Sequence, residues 1–144
     1  MDRVKFKIPH KEFFTWKTDL HVSHMNYGNH LANDKVLTLC HEARVRWLRE
    51  LGYNELDIDG KGLIQTDTMI MYTAEGNLGD VVEVKLSLGG FHSRAFSLYY
   101  SIYRPSDDTE IARVKTGMMH FDYERRCITE TSENFLNLLE KLNS

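Results

Sequence analysis

Cysteine is scarce in this sequence, and the few cysteines form no metal-binding pattern. Cys40 and Cys127 are the only two, and neither belongs to a CxxC or Cys-His spacing typical of zinc sites. Two cysteines are too few for a disulfide framework, so we expect reduced thiols. The sequence therefore predicts neither a disulfide-rich fold nor a structural metal site.

Long apolar runs and an excess of positive charge are also missing. No segment approaches the roughly 20 apolar residues that cross a bilayer, and the first residues alternate charged with apolar side chains, unlike a signal peptide. The 18 basic and 21 acidic residues give a formal net charge of -3, which offers no positive field to a phosphate backbone. We therefore expect a cytoplasmic protein that binds neither membranes nor nucleic acid.

Prolines, repeats and low-complexity linkers that would divide the chain are rare or absent. Pro9 and Pro105 are the only prolines among the 144 residues. The hydrophobic fraction of 42% and the charged fraction of 27% are typical of a globular protein. A chain of this length can bury one core but not two. Residues 1–144 are therefore predicted to form a single domain.

One long amphipathic helix is predicted from Asn33 to about Leu51. Apolar residues recur there at spacings of three and four. Asn33 is the predicted N-cap, Asp34 suits the positive end of the helix dipole, and Gly52 follows where helices commonly stop. A helix of this length needs a sheet on which to pack.

Five strand-like segments are predicted to supply that sheet, at 11–20, 62–73, 80–88, 91–104 and 109–121. Turn signals at 75–77, 89–90 and 105–108 are short enough for hairpins, so we expect antiparallel pairing. The tail from Thr131 has a Ser/Thr start and a Phe/Leu stripe, which indicates a short closing helix. The predicted order is β-α-β-β-β-β. Its sheet edges would stay open unless two copies join edge to edge.

The segment HMNYGNHLAND, which runs into VLTLCHEARVRWLRELG, resembles hotdog-fold thioesterases of the 4-hydroxybenzoyl-CoA thioesterase-like group. IQTDTMIMYTAEGNLGDVVEVKL and EIARVKTGMMHFDYERR are similar to later parts of the family pattern, so the resemblance covers nearly the whole chain. It implies an α+β hotdog fold, in which a five-stranded antiparallel sheet wraps around one long central helix, with a short C-terminal helix added. It also implies hydrolysis of acyl-CoA by a homodimer or homotetramer. No cofactor is implied, because CoA is part of the substrate.

In that group a loop of the form D-x-D-x-x-G-H-V-N-N leads into the helix, which carries an E-A-R-like stretch. An ungapped alignment on residues 42–44 places His24 at the catalytic aspartate and Asn26 at the second aspartate. It also pairs His30 and Asn33 with the family's histidine and second asparagine. We list His24, His30 and Asn33 as catalytic candidates on this basis, although His30 and Asn33 also suit a purely structural role at the helix start.

The chain departs from the family at its key carboxylate. A gapped alignment pairs Asp19 with the family aspartate, but it needs an insertion of several residues. Two candidates for the base remain: His24, which titrates near neutrality, and Asp34, at the helix start. Loop-fixing hydrogen bonds for His24 and dipole stabilisation for Asp34 are the structural alternatives. Backbone N–H groups at the helix start are expected to hold the developing oxyanion.

Five further residues are candidates for contact with the acyl thioester: Asn26, Tyr27, Thr66, Asp67 and Met69. Asp67 interrupts an otherwise apolar or Thr-rich strand, and an exposed position or a salt bridge is its structural alternative. The missing family carboxylate leaves a second function open, which is non-hydrolytic binding of an acyl thioester of CoA or of acyl carrier protein.

Overall fold

The computed structural model describes all 144 residues. Its main elements are β1 (Glu12–Asp19), α1 (Asn33–Glu50), β2 (Gly62–Tyr72), β3 (Val81–His92), β4 (Ala95–Arg104), β5 (Thr109–Asp122), β6 (Cys127–Ile128) and α2 (Glu133–Asn143). The strands are antiparallel in the order β1-β3-β4-β5-β2, and the short β6 pairs with β5. This arrangement confirms the predicted hotdog fold.

The core lies between α1 and one face of the sheet. The helix buries its apolar stripe, which consists of Val36, Leu39, Cys40, Ala43, Trp47 and Leu48. Alternate residues of the strands meet this stripe, as the two-residue period of a strand requires. Neither helix combines the length and apolar character that crossing a membrane would need.

A buried polar network fixes α1 on the sheet. The Arg44 side chain is 4% exposed, and its Nε donates to Glu55 Oε2 at 2.8 Å. Arg44 Nη1 donates to the Tyr100 hydroxyl at 3.0 Å, and that hydroxyl lies 2.8 Å from Thr116 Oγ1. A buried charge is tolerated only when it is paired in this way, so the network specifies where the helix sits.

The connection between β2 and β3 is not the predicted hairpin. β2 pairs with β5, whereas β3 lies between β1 and β4, so residues 73–80 cross over. The turn residues instead approach the loop before α1, where Leu31 N donates to Gly76 O at 2.8 Å. A Cβ at position 76 would lie 2.9 Å from Leu20 Cδ1 and 3.1 Å from Leu31 Cβ. Close packing, and not a hairpin, explains the glycine.

The turn predicted at 89–90 is also wrong, because both glycines lie inside β3 and the chain turns at 93–94. A Cβ on Gly89 would lie 2.6 Å from the ring of Tyr99 on the neighbouring strand, so glycine makes room for an aromatic side chain there. The segment 105–108 does connect β4 and β5 as a hairpin, as predicted.

The N-cap of α1 is Ala32, and the prediction of Asn33 was wrong by one residue. Asn33 is the first helical residue, and no side chain accepts a hydrogen bond as a cap. At the other end, Gly52 adopts a φ of 81°, which favours glycine after a helix, as expected. The closing helix α2 is confirmed, with Ser132 as its N-cap.

Candidate active site

A cavity of about 200 Å³ lies at the start of α1. We call it the helix-start cavity. Four parts of the chain form its wall: the loop before α1, the first turn of α1, the end of β2 with the crossover that follows, and β5. Its lining residues are Asn26, His30, Leu31, Asn33, Val36, Tyr72, Ala74, Glu75 and Ile111.

Two backbone N–H groups at the start of α1 have no acceptor within the chain. The N–H of Lys35 donates to Ala32 O at 3.0 Å, and the N–H of Ala32 donates to His24 O at 2.9 Å. The N–H groups of Asn33 and Asp34 make no such bond. Both lie at the positive end of the helix dipole, where an oxyanion is stabilised. This geometry can hold a negatively charged oxygen.

Asn26 fixes the loop that forms one wall of the cavity. Its Oδ1 accepts the N–H of Gly28 at 2.9 Å and the N–H of His30 at 3.1 Å. Its own N–H donates to His30 O at 2.9 Å, and Asn29 adopts a φ of 62°, which asparagine tolerates. The loop is therefore held by its own polar groups, as is common for Asn-rich turns.

The crossover after β2 brings a carboxylate to the cavity. His30 Nε2 lies 3.2 Å from Glu75 Oε2. Next to this pair, Leu31 N donates to Gly76 O at 2.8 Å, and Arg104 Nη1 donates to Glu75 O at 3.0 Å. Sequence reasoning missed Glu75 because it stands in a turn-like stretch far from His30 in the chain.

Tyr72 is a second cavity residue that sequence reasoning missed. Its hydroxyl donates to Asn33 O at 3.1 Å, which ties the end of β2 to the first turn of α1. Burial and the nearby Asp34 carboxylate raise the pKa of Tyr72 above its ordinary value. The hydroxyl therefore stays protonated and remains a donor near neutral pH.

His24 lies beside the cavity but does not line it. Its Nδ1 accepts the N–H of His21 at 2.9 Å, and the two imidazole rings stack with centroids 5.2 Å apart. Burial, followed by the charges of His21 and Lys35, lowers the pKa of His24. The neutral ring therefore carries its proton on Nε2, because Nδ1 is occupied as an acceptor. Asp19 lies next to His21 instead, 3.4 Å from its Nε2.

Asp34 and Tyr27 are both exposed. Asp34 lies in the first turn of α1, as predicted, and its side chain makes no hydrogen bond or ion pair. Tyr27 projects from the loop with a fully exposed side chain and makes no hydrogen bond within the chain. Within one protomer, Tyr27 does not contribute to the cavity wall.

Thr66, Asp67 and Met69 lie further along β2, away from the helix-start cavity. Asp67 Oδ1 is 2.5 Å from Lys115 Nζ, and this hydrogen bond lowers the pKa of Asp67. Thr66, Asp67 and Lys115 line a second cavity of about 430 Å³. Met69 lies opposite Lys115 in the sheet. The fold of the single chain thus divides the predicted site residues between two places.

Comparisons with known proteins agree with this architecture. The structure is similar to a 1,4-dihydroxy-2-naphthoyl-CoA thioesterase from Synechocystis, with a TM-score of 0.81 and 19% identity, over 91% of this chain and 98% of that one. It is also similar to a hypothetical protein from Staphylococcus aureus in complex with CoA, with a TM-score of 0.82 and 17% identity, over 96% of this chain and 87% of that one. No curated protein sequence matches this chain.

A family model described as the thioesterase-like superfamily matches residues 20–139. That range includes the loop before α1, the whole of α1 and every strand after it. The match confirms the resemblance seen in the loop and helix residues. The chain therefore belongs to the thioesterase-like superfamily.

Proposed function

We propose that this protein hydrolyses acyl-CoA thioesters to the free acid and CoA. The observation that carries the proposal is the helix-start cavity, which Asn33 lines, together with the free N–H groups of Asn33 and Asp34 in the first turn of the same helix. Membership of the thioesterase-like superfamily supports it. The CoA bound to the similar Staphylococcus aureus protein supports a CoA ester as the substrate.

Hydrolysis requires that negative charge on the thioester carbonyl oxygen be stabilised. In our proposal the free N–H groups of Asn33 and Asp34 bind that oxygen as the tetrahedral intermediate forms. Loss of one such donor typically costs about 100- to 1000-fold in kcat. No side chain needs to move for this interaction, because the donors belong to the helix backbone.

His24 and Asp34 are the proposed residues for proton transfer beside this oxyanion site. The hydrogen bond to His24 Nδ1 leaves only Nε2–H available, so His24 is suited to donate a proton or a hydrogen bond rather than to accept one. Asp34 carries an exposed carboxylate in the first turn of α1, and its side chain makes no hydrogen bond or ion pair with another group of the chain.

We further propose that two copies pair through β2. β1 carries Glu12, Lys17 and Asp19 along its free edge, and such charges discourage pairing. β2 carries only Asp67, which Lys115 neutralises. Antiparallel pairing of two β2 strands would bring the Thr66–Met69 region of one copy towards the helix-start cavity of the other. The two groups of site residues would then form one site.

Steady-state assays of thiol release from a panel of aliphatic and aromatic acyl-CoAs test the function. We expect turnover, and the variants His24→Ala and Asp34→Asn test the two sequence-predicted candidates one at a time. A role in proton transfer predicts a roughly 100-fold fall in kcat. Sedimentation velocity on the same sample reports the oligomeric state. A folded dimer that releases no thiol from any substrate would refute hydrolysis, and an active monomer would refute pairing through β2.

One observation favours a second function, non-hydrolytic binding of an acyl thioester. A histidine with an occupied Nδ1 stands where the family resemblance places the catalytic aspartate. Calorimetric titration with acyl-CoA, followed by mass spectrometry of the recovered ligand, separates the two functions. Tight binding with the thioester intact would favour this second function over hydrolysis.

A further inference from the structure

His30 and Glu75 form a polar pair in the wall of the helix-start cavity. We propose that His30 Nδ1 is the general base of the hydrolysis and that Glu75 is the residue that positions it. This inference rests on the proposed function. Two observations support it. His30 Nε2 lies 3.2 Å from Glu75 Oε2, and both residues belong to the cavity wall.

The Glu75 carboxylate selects one tautomer of His30. A neutral imidazole has one N–H donor and one acceptor nitrogen, and a carboxylate can only accept. With this carboxylate 3.2 Å away, the charge of Glu75 favours the proton on Nε2 and the lone pair on Nδ1. No group of the chain donates to His30 Nδ1, and the His30 side chain is 40% exposed, so water can reach it. A histidine held in this way is suited to accept a proton from water.

His24 provides an internal contrast. Its Nδ1 already accepts the His21 N–H at 2.9 Å, so its remaining ring nitrogen is a donor. His30 has the opposite arrangement, with its Nε2 next to the Glu75 carboxylate and no group of the chain donating to its Nδ1. Of the two histidines predicted as catalytic candidates, His24 and His30, only His30 can therefore act as a base in its neutral form.

Backbone contacts hold the two partners in place. On one side the N–H of His30 donates to Asn26 Oδ1 at 3.1 Å. On the other, Arg104 Nη1 donates to Glu75 O at 3.0 Å, and Leu31 N donates to Gly76 O between them. Most exposed ion pairs are weak partly because two free side chains must be ordered. Here hydrogen bonds already hold the backbone from which both side chains extend.

Hydrolysis in this proposal moves one proton through His30. His30 Nδ1 takes a proton from water while the water oxygen bonds to the thioester carbonyl carbon, and the carbonyl oxygen becomes an oxyanion. Collapse of this intermediate restores the carbonyl and breaks the carbon–sulfur bond. The proton on His30 Nδ1 then passes to the departing sulfur. Glu75 stabilises the positive ring between these two transfers.

Nitrogen-15 NMR of labelled protein tests the pair without depending on activity. We expect His30 to carry its proton on Nε2 at pH 7.5, and we expect Glu75→Ala to introduce a measurable fraction of the Nδ1–H form. Wild-type His30 in the Nδ1–H form would overturn the inference even if the protein hydrolyses acyl-CoA.

Kinetics test the catalytic role. We expect His30→Gln to lower kcat about 100-fold or more. Glu75→Ala should lower kcat about tenfold with little change in KM, and Glu75→Asp should recover part of the loss.

His41→Gln is the matched control, because His41 forms another histidine–glutamate contact, with Glu55 at 2.6 Å, on the outer side of α1. It should leave kcat unchanged. Wild-type kcat in Glu75→Ala or in His30→Gln would overturn the base role. If the folded wild-type protein hydrolyses nothing, the proposed function and the base role both fail, and the NMR experiment still reports whether the pair exists.

Discussion

The two helices of this protein begin in opposite ways. At the start of α2, Ser132 Oγ accepts the N–H of Phe135 at 3.1 Å and donates to Asp59 Oδ2 at 2.6 Å. At the start of α1, Ala32 has no side-chain oxygen to offer. A side chain therefore caps α2 but not α1, although the first two N–H groups of both helices have no acceptor within the chain. The uncapped start of α1 borders the cavity, where a ligand oxygen can accept its free N–H groups.

The largest effect is expected from giving the uncapped start of α1 a side-chain cap. Ala32→Asp would place a carboxylate where an N-cap side chain accepts the free N–H groups. We expect kcat on the best acyl-CoA to fall about 100- to 1000-fold, because the oxyanion would lose its donors. The free energy of unfolding should rise by about 1 kcal/mol. Steady-state kinetics and urea denaturation measure the two effects.

Ala32→Gly serves as the control for this change, since glycine also lacks a side-chain acceptor. It should keep kcat near the wild-type value. Wild-type kcat in Ala32→Asp, in a variant shown to be stabilised, would mean that these amides do not bind the oxyanion.

The second effect concerns the core beneath α2. His120 is fully buried between the rings of Phe96 and Phe135, and neither ring nitrogen has a hydrogen-bond partner. Burial, with a smaller contribution from His92, lowers the pKa of His120 to about 4. The unfolded chain binds this proton below about pH 6.5, whereas the folded protein resists it down to about pH 4. The contribution of neutral His120 to stability is therefore fully present above pH 6.5. The free energy of unfolding falls by about 3 kcal/mol as the pH drops to 4.

Urea denaturation across this pH range measures the loss. His120→Leu should flatten the dependence, because leucine cannot bind a proton, whereas the exposed His10→Gln should not change it. Hydrogen exchange at pH 5 should open α2 before α1. A wild-type-like acid loss in His120→Leu would assign the effect to other groups.

The smallest effect is expected from removing the side-chain cap of α2. Ser132→Ala removes the cap of α2 and should lower the free energy of unfolding by about 1 kcal/mol. Thiol release should stay at the wild-type rate, because α2 does not line the helix-start cavity. A loss of activity with intact stability would show that the two helix starts are coupled.

Much of the fold could be predicted from local pattern. The three- and four-residue spacing of α1 and the two-residue alternation of the strands depend only on which face is buried, so the elements were found. The crossover at 73–80 could not be predicted, because Gly76 serves a close contact with Leu20 and Leu31, which are distant in the chain. A turn signal alone cannot separate a hairpin from such a contact.

The candidate site was predicted in part. The loop histidines and the helix start followed from a local motif. Glu75 and Tyr72 did not, because they reach the cavity only through the crossover and the pairing of β2 with β5. The donor or acceptor role of each imidazole could not be predicted either, because it depends on which group lies next to His24 Nδ1 and His30 Nε2.

Arg104, at the end of β4, connects the β4–β5 hairpin to other parts of the chain. Besides Glu75 O, its guanidinium contacts Asp107 in its own turn and Asp80 at the start of β3. One side chain thus links the crossover, the start of β3 and the 105–108 turn. A mutation or a bound partner that shifts the 105–108 turn would therefore displace the backbone that carries Glu75.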